Sequence, residues 1–98
     1  MFDISSVSKR YFGIKIGDLA LEVEPPKIKT LKKITALSKA RDEDAMEDLA
    51  EAVVMVLSKN KARHTVPNEI VEELDLDQMN EILTAYFEWL AGEKKSPN

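Results

Sequence analysis

The chain has 98 residues, 44% of them apolar and none of them cysteine, a composition that allows one small globular domain and excludes disulfides and thiolate metal sites. No apolar run approaches the roughly 20 residues of a membrane span, and residues 1–6 lack the basic and apolar runs of a signal peptide, so we expect a protein of the cytoplasm with no membrane partner. The net charge of −4 divides into +5 over residues 1–41 and −9 over residues 42–98, and an acidic chain lacks the cationic footprint of a general nucleic-acid binder.

Residues 1–10 have no clear hydrophobic period, and we predict a mobile arm. Residues 11–24 alternate between apolar and polar side chains, which is typical of two strands that share one buried face. Gly17 and Asp18 stand between the two strands as a two-residue turn, because glycine tolerates the positive φ that such a turn requires. This turn predicts three apolar cross-strand pairs on one face: Phe12 with Val23, Ile14 with Leu21, and Ile16 with Leu19.

A first helix is predicted over residues 28–40, after the proline pair Pro25 and Pro26 has ended the second strand. Its apolar positions recur at every third residue: Ile28, Leu31, Ile34 and Leu37. The acidic run at residues 41–44 opens a second helix, because carboxylates are favoured at the positive end of a helix dipole. The stripe on this helix is the most apolar of the chain and predicts a central position: Met46, Leu49, Ala50, Val53, Val56 and Leu57. Residues 58–64 end the helix, and Asn60 is the residue there that tolerates a left-handed backbone.

Two more helices complete the predicted fold. Pro67 is typical of a helix start, and the short third helix is predicted to run to about Leu74. Asp75 then caps the last helix, with Gln78 as its capping-box partner and Gly92 as its stop. Apolar residues follow at spacings of three and four: Leu76, Met79, Ile82, Leu83, Tyr86, Phe87 and Leu90. The predicted fold class is therefore α+β, mostly α, with an N-terminal hairpin packed on a bundle of about four helices. Residues 11–91 form the single domain and residues 92–98 a polar tail.

Side chains suited to catalysis are scarce in this sequence. His64 is the one histidine and has no second histidine or cysteine with which to share a metal ion or a nucleophile. The acidic residues between positions 42 and 51 lack the spacing and the central glycine of a calcium loop, and we interpret them as a solvated helix face. We therefore predict that the protein is not an enzyme and binds neither metal nor cofactor.

Partner binding is the function that the remaining residues favour. Tyr86 and Trp89 lie near the end of the last helix, and such aromatic side chains often anchor protein interfaces. Met46 and Met79 suit a surface that repacks against varied apolar segments, although methionine is also an ordinary core residue. The lysines of the first helix are interpreted as a solvated face or as a contact for an acidic partner, with nucleic acid as the further alternative: Lys29, Lys32 and Lys33.

The order of these features is similar to that of a known family. After a hairpin with a Gly-Asp turn, four segments follow one another: EPPKIKTLKKI at residues 24–34, LSKNK at 57–61, VPNEIVEEL at 66–74 and DLDQMNEILTAYFEWL at 75–90. Over about residues 11–91 the chain resembles the short tail assembly chaperones of long-tailed, siphovirus-type bacteriophages. No catalytic residue carries over, because the family has none.

The resemblance implies a protein of the host bacterial cytoplasm that binds the tape-measure protein, helps to recruit major tail protein subunits, and is absent from the finished virion. Many such genes also make a longer product by programmed frameshifting near the end of the short reading frame. Glu93, Lys94 and Lys95 permit the repetitive codons GAA AAA AAR that such slippage needs. Two alternatives remain: a non-phage helical adaptor for one protein partner, and a small nucleic-acid-binding protein that uses the lysine-rich first helix.

Overall fold

The computed structural model describes residues 1–7 and 9–92, so Ser8 of the predicted arm and residues 93–98 of the predicted tail lie outside the described residues. Two strands and four helices follow one another, and the α+β, mostly α class is confirmed: β1 (Phe12–Ile16), β2 (Leu19–Val23), α1 (Ile28–Ser38), α2 (Ala45–Ser58), α3 (Asn68–Glu72) and α4 (Leu76–Leu90). No helix within the described ranges combines the length and the apolar character needed to cross a membrane.

The hairpin has the predicted register. Phe12 pairs with Val23, Ile14 with Leu21 and Ile16 with Leu19, and the strands are antiparallel. Gly17 has a φ of +59° in the turn, a conformation that a side chain would strain. The apolar face of the hairpin lies against the helices.

Helix α2 is the centre of the fold, as predicted. Helices α1, α3 and α4 and strand β2 all pack against it, and its apolar side chains form much of the core. Five α2 residues are buried: Leu49, Ala52, Val53, Val56 and Leu57. Ala52 was not in the predicted stripe; it is buried because α2 is covered on more than one side.

The two ends of α4 were predicted correctly. The Asp75 carboxylate accepts a hydrogen bond from the Gln78 backbone N–H (2.8 Å), and the Gln78 side chain accepts one from the Asp75 N–H (2.9 Å). This pair is a capping box, which satisfies two amide groups that the helix itself leaves unpaired. Gly92 follows the helix with a φ of +75°.

Helix α1 begins at Ile28 as predicted, but the predicted burial of Ile28 and the predicted start of the second helix need correction. Ile28 is 72% exposed rather than part of the core stripe, because a three-residue spacing drifts by about 60° per step around an α-helix and carries Ile28 away from the buried Ile34. Helix α2 begins at Ala45, after the acidic run. The Asp42 side chain accepts a hydrogen bond from the Asp44 N–H (3.0 Å), so residues 42–44 form a turn before the helix.

The loop after α2 also differs from its prediction. Arg63, not Asn60, has the left-handed backbone, with a φ of +57°. Asn60 is buried instead, and its side chain makes three hydrogen bonds: Nδ2 donates to the carbonyl oxygens of Leu57 (2.9 Å) and His64 (3.0 Å), and Oδ1 accepts from the His64 N–H (2.8 Å). This side chain fixes the loop that returns from α2 to the hairpin.

Candidate partner-binding groove

The outer edge of β2 is covered by the loop after α2. The Lys61 N–H donates to the Glu22 carbonyl oxygen (2.8 Å), and the Glu24 N–H donates to the Lys59 carbonyl oxygen (2.9 Å). Asn60, between the two lysines, forms a β-bridge with Val23. The outward carbonyl of Glu22 and the N–H of Glu24, at the end of β2 far from the turn, are therefore satisfied within the chain.

The outer edge of β1 is open. Gly13 lies opposite Glu22, and the Glu22 carbonyl faces away from β1 because it is bonded to Lys61. In an antiparallel ladder, two residues that lie opposite each other both point their peptide groups either inward or outward, and this alternates along the strand. The N–H and carbonyl groups of Gly13 and Lys15 therefore point away from β2. Among the described residues, no group outside the hairpin forms a hydrogen bond with the backbone of Gly13 or Lys15. An edge of this kind is a template for a further strand.

A groove lies beside this open edge and continues beneath the turn of the hairpin. A cavity of about 440 Å³ separates the end of β1 from the start of α4, and one of about 640 Å³ lies between the turn and α3. The two cavities share four lining residues, so we treat them as one surface, the hairpin groove. Its apolar lining consists of half-buried side chains: Ile14, Ile16, Leu19, Ile70, Leu74 and Ile82.

The rim of the hairpin groove is acidic. Lys15 is the one cation among the residues that line it, against five carboxylates: Asp18, Glu73, Asp75, Asp77 and Glu81. Within the described part of the chain these five form no ion pair. Residues 64–92, which supply α3 and α4, contain seven carboxylates and no lysine or arginine. The groove thus offers apolar contact inside a negative field.

An aromatic cluster closes the other end of the layer formed by β1 and α4. The ring centroid of Phe12 lies 5.9 Å from that of Tyr86 and 5.6 Å from that of Trp89. Arg10 lies over Trp89, with its guanidinium carbon 4.9 Å from the ring centroid, and donates from Nη1 to the Trp89 carbonyl oxygen (3.0 Å). A cation at this position also complements the negative end of the helix dipole.

The predicted aromatic edge is therefore largely inside the protein. Tyr86 is 1% exposed, and burial raises the pKa of its phenol to about 12. It follows Met79 and Leu83 along the buried face of α4. Trp89 is half-buried beneath Arg10, a contact from the arm that the sequence did not indicate.

The two predicted methionines lie in different environments. Met79 is 2% exposed and belongs to the core, so in this conformation it is not available to a partner. Met46 is 49% exposed in the first turn of α2, and Leu76, which was predicted to be in the core, is likewise exposed at the start of α4. The structure thus does not unite these methionines with Trp89 in one surface.

The three lysines of the predicted basic face are exposed on α1: Lys29, Lys32 and Lys33. Lys33 Nζ lies 3.6 Å from Glu51 Oε2 of α2. Helix α1 packs chiefly on α2, and the lysines are not among the residues that line the hairpin groove. The basic face and the acidic groove are thus separate features.

Reactive groups are not gathered in the described part of the chain. No group of three or more histidine, cysteine, aspartate or glutamate side chains there is arranged to hold a metal ion. His64 is exposed, and its backbone N–H and carbonyl are both bound by Asn60. The arrangement that the described residues do provide is an open strand edge beside an apolar groove, which is suited to binding a polypeptide.

The sequence pattern assigned Ile14, Ile16, Leu19 and Ile82 of the groove to buried faces and did not indicate their partial exposure. Ile14 and Ile16 continue the same apolar alternation as the buried strand residues, so periodicity alone does not separate them. The absence of lysine and arginine over residues 64–92 was the available signal that one surface is uniformly acidic. Compared with models of known protein families, with curated proteins and with solved structures, the chain gives no match.

Proposed function

We propose that the protein is a tail assembly chaperone of a long-tailed bacteriophage, which binds apolar segments of the tape-measure protein in the host cytoplasm and helps to recruit tail-tube subunits. The observation that carries the proposal is the hairpin groove, an apolar surface with an acidic rim beside an unpaired strand edge. The resemblance of residues 11–91 to that family supplies the biological setting.

The groove supports a holding role through two separate effects. Its half-buried isoleucines and leucines gain about 25 cal/mol for each Å² of apolar surface that a partner removes from water, so several such side chains together supply a few kcal/mol. The acidic rim adds selectivity and speeds encounter with cationic segments. A partner bound in this way has its apolar residues covered until it is transferred to a growing tail.

The proposal predicts that a very long helical protein is encoded beside the gene, and the test is co-expression with that protein followed by affinity capture. Replacing Glu73 and Glu81 with lysine reverses the charge of the rim and leaves the capping box of α4 intact, and we expect it to weaken the complex at least about tenfold, or roughly 1.4 kcal/mol. Replacing Lys29 and Lys32 with glutamate is the matched control, which should leave capture unchanged. Equal capture by wild type and the rim variant would contradict the assignment of the groove.

A second candidate function rests on α1. Residues 25–41 contain six lysine or arginine residues and no carboxylate, and the lysines on α1 are exposed. If nucleic acid is the ligand, a gel shift should weaken steeply with salt, and the lysine-to-glutamate control should abolish it. A salt-tolerant complex with an apolar protein favours the chaperone instead, and a partner that is not a tail protein favours a helical adaptor.

The longer frameshifted product is part of the same proposal. It requires the codons of residues 93–95 to form the slippery run, and the codon AAG at Lys94 would break that run. Expression of the native gene with an N-terminal tag should therefore give a second, longer band, which disappears when synonymous codons replace the run.

A further inference from the structure

We propose that the partner extends the hairpin with a third strand, paired to the open edge of β1, and that the bound segment is extended, alternates apolar residues, and carries lysine or arginine. This inference rests on the proposed function in taking the occupant of the groove to be a polypeptide. It adds how that polypeptide is recognised, namely through its main chain.

The two edges of the hairpin differ in how their peptide groups are paired. Lys15 lies directly opposite Ala20, and Gly13 directly opposite Glu22. On the β2 side, a segment of this chain already satisfies the outward carbonyl of Glu22 through Lys61 and the N–H of Glu24 through Lys59. On the β1 edge, the outward groups of Gly13, which lies opposite Glu22, and those of Lys15 have no such segment beside them among the described residues. Apart from its chain neighbours, no heavy atom lies within 4 Å of the position that a Cβ on Gly13 would take, so the face of β1 is also clear there. A strand of about five residues, some 17 Å long, matches β1.

The groove next to that edge can receive the side chains of an added strand. Alternate residues of an added strand face the helices, where Ile14, Ile16 and Ile82 are half-buried beside a cavity of about 440 Å³. Asp77 and Glu81 line the same cavity from α4, so a cation in the added strand meets two carboxylates that have no ion pair among the described residues. Alternating apolar residues with a flanking lysine or arginine are the sequence that fits.

A second copy of the chain fits this edge less well. Symmetric pairing of β1 with its own copy places two identical acidic rims on the same sheet. Each copy would contribute only Lys15 as a cation from its groove lining. Because like charges across an interface oppose binding, a cationic segment of a different protein is the better occupant.

The test uses a fluorescent synthetic peptide of alternating valine and threonine with a lysine at each end, with binding followed by anisotropy. Lys15→Pro removes an outward N–H that the hairpin itself does not use, and proline is tolerated at such an edge position. Ala20→Pro makes the same change on the opposite strand and is the matched control, while Lys15→Ala accounts for the lost charge. We expect at least about tenfold weaker binding for Lys15→Pro alone, and weaker binding of a peptide with glutamate in place of lysine.

Two peptides, each methylated on one of the two alternating sets of backbone amides, test the same bonds without altering the protein, and we expect the peptide whose methyl groups face β1 not to bind. Equal binding of the methylated and unmethylated peptides, or tighter binding of a helical peptide, overturns the inference. A free protein that is dimeric and that Lys15→Pro makes monomeric also overturns it, because the occupant is then a second copy. If the long tail protein is captured by Lys15→Pro as well as by wild type, strand addition fails and the proposed function stands. If neither it nor any apolar peptide binds, the proposed function itself fails.

Discussion

The two strands of the hairpin have similar sequences and opposite surroundings. On β2, Leu21 and Val23 are buried against α2, and the loop at residues 59–61 covers the outer edge from Glu22 to Glu24. On β1, every apolar side chain stays half-buried, and the outer edge is open beside the hairpin groove. The two strands differ in burial and in edge coverage because different segments pack against them. Their own patterns are the same, since apolar and polar residues alternate in both.

The β2 side of the hairpin should contribute mainly to the stability of the fold, and the β1 side mainly to partner binding. The β2 side joins the central helix, where substitutions remove well-packed contacts and leave cavities. The β1 side keeps apolar surface and peptide groups that gain partners only when another molecule is present. Substitutions on the β2 side should therefore lower the free energy of unfolding, whereas those on the β1 side should mainly lower affinity.

The largest expected effect is a loss of stability from a substitution in the core on the β2 side. Leu57 of α2 is fully buried, and Leu57→Ala should lower the free energy of unfolding by about 3–4 kcal/mol through lost burial and a residual cavity. Ile14→Ala on β1 removes a half-buried side chain and should lower it by about 1 kcal/mol. Urea denaturation of both variants measures the difference, and equal losses would show that the two sides contribute alike.

The next effect concerns the side chain that holds the loop against β2. Asn60→Ala removes three hydrogen bonds and leaves the polar groups of Leu57 and His64 without their partner, so we expect a loss of about 2–3 kcal/mol. Asn80→Ala, an exposed change on α4, is the control and should be close to neutral. A loss below about 0.5 kcal/mol for Asn60→Ala would mean that water replaces these bonds at little cost.

A smaller effect is expected at the closed end of the β1 side. Arg10→Ala removes the cation over Trp89 and the hydrogen bonds to the carbonyl oxygens of Trp89 and Leu90, which should lower the free energy of unfolding by about 1 kcal/mol. Lys9→Ala, next in sequence, removes an exposed ion pair with Glu24 and should cost less. Tryptophan fluorescence should change for Arg10→Ala only, and an unchanged emission spectrum would argue that Arg10 does not cover the ring.

The smallest expected effect is a loss of stability that appears only at high pH. Burial raises the pKa of Tyr86 from 10.0 to about 12, so the folded state favours the neutral phenol. This contribution is complete below pH 10 and is lost as the pH rises from about 10 through 12, because only the unfolded chain then ionises freely. Tyr86→Phe keeps the ring packing and removes the titration. The difference in urea midpoint between wild type and Tyr86→Phe should therefore shift against wild type above pH 10, and a constant difference would contradict the burial effect.

Local chemistry predicted much of the fold. The turn at Gly17 and Asp18 set the register, and Asp75 with Gln78 set the start of α4, because in each case the interacting groups are neighbours in sequence. The depth of burial was harder to predict, since it depends on which helix covers a residue. Tyr86 and Met79 were expected to contact a partner and lie in the core, whereas Ile28 was expected in the core and lies on the surface.

The candidate site was harder to predict than the fold. Whether a strand edge is open depends on which other segments pack beside it, and these are distant in sequence. The alternation of apolar and polar residues is the same in β1 and β2, so it does not show which strand has the open edge. The groove also combines residues of the hairpin, α3 and α4 that are more than 50 positions apart in sequence. Only the acidic character of residues 64–92 was visible beforehand.

Amide hydrogen exchange with and without the lysine-flanked peptide tests the central contrast between the two strands most directly. The amides of Glu24 and Lys61 are bonded within the chain and should exchange slowly in both states, whereas those of Gly13 and Lys15 should exchange rapidly in the free protein and slowly in the complex. Rapid exchange at Gly13 and Lys15 in a saturated complex would contradict the account, because the open edge of β1 would then not be the surface that receives the partner.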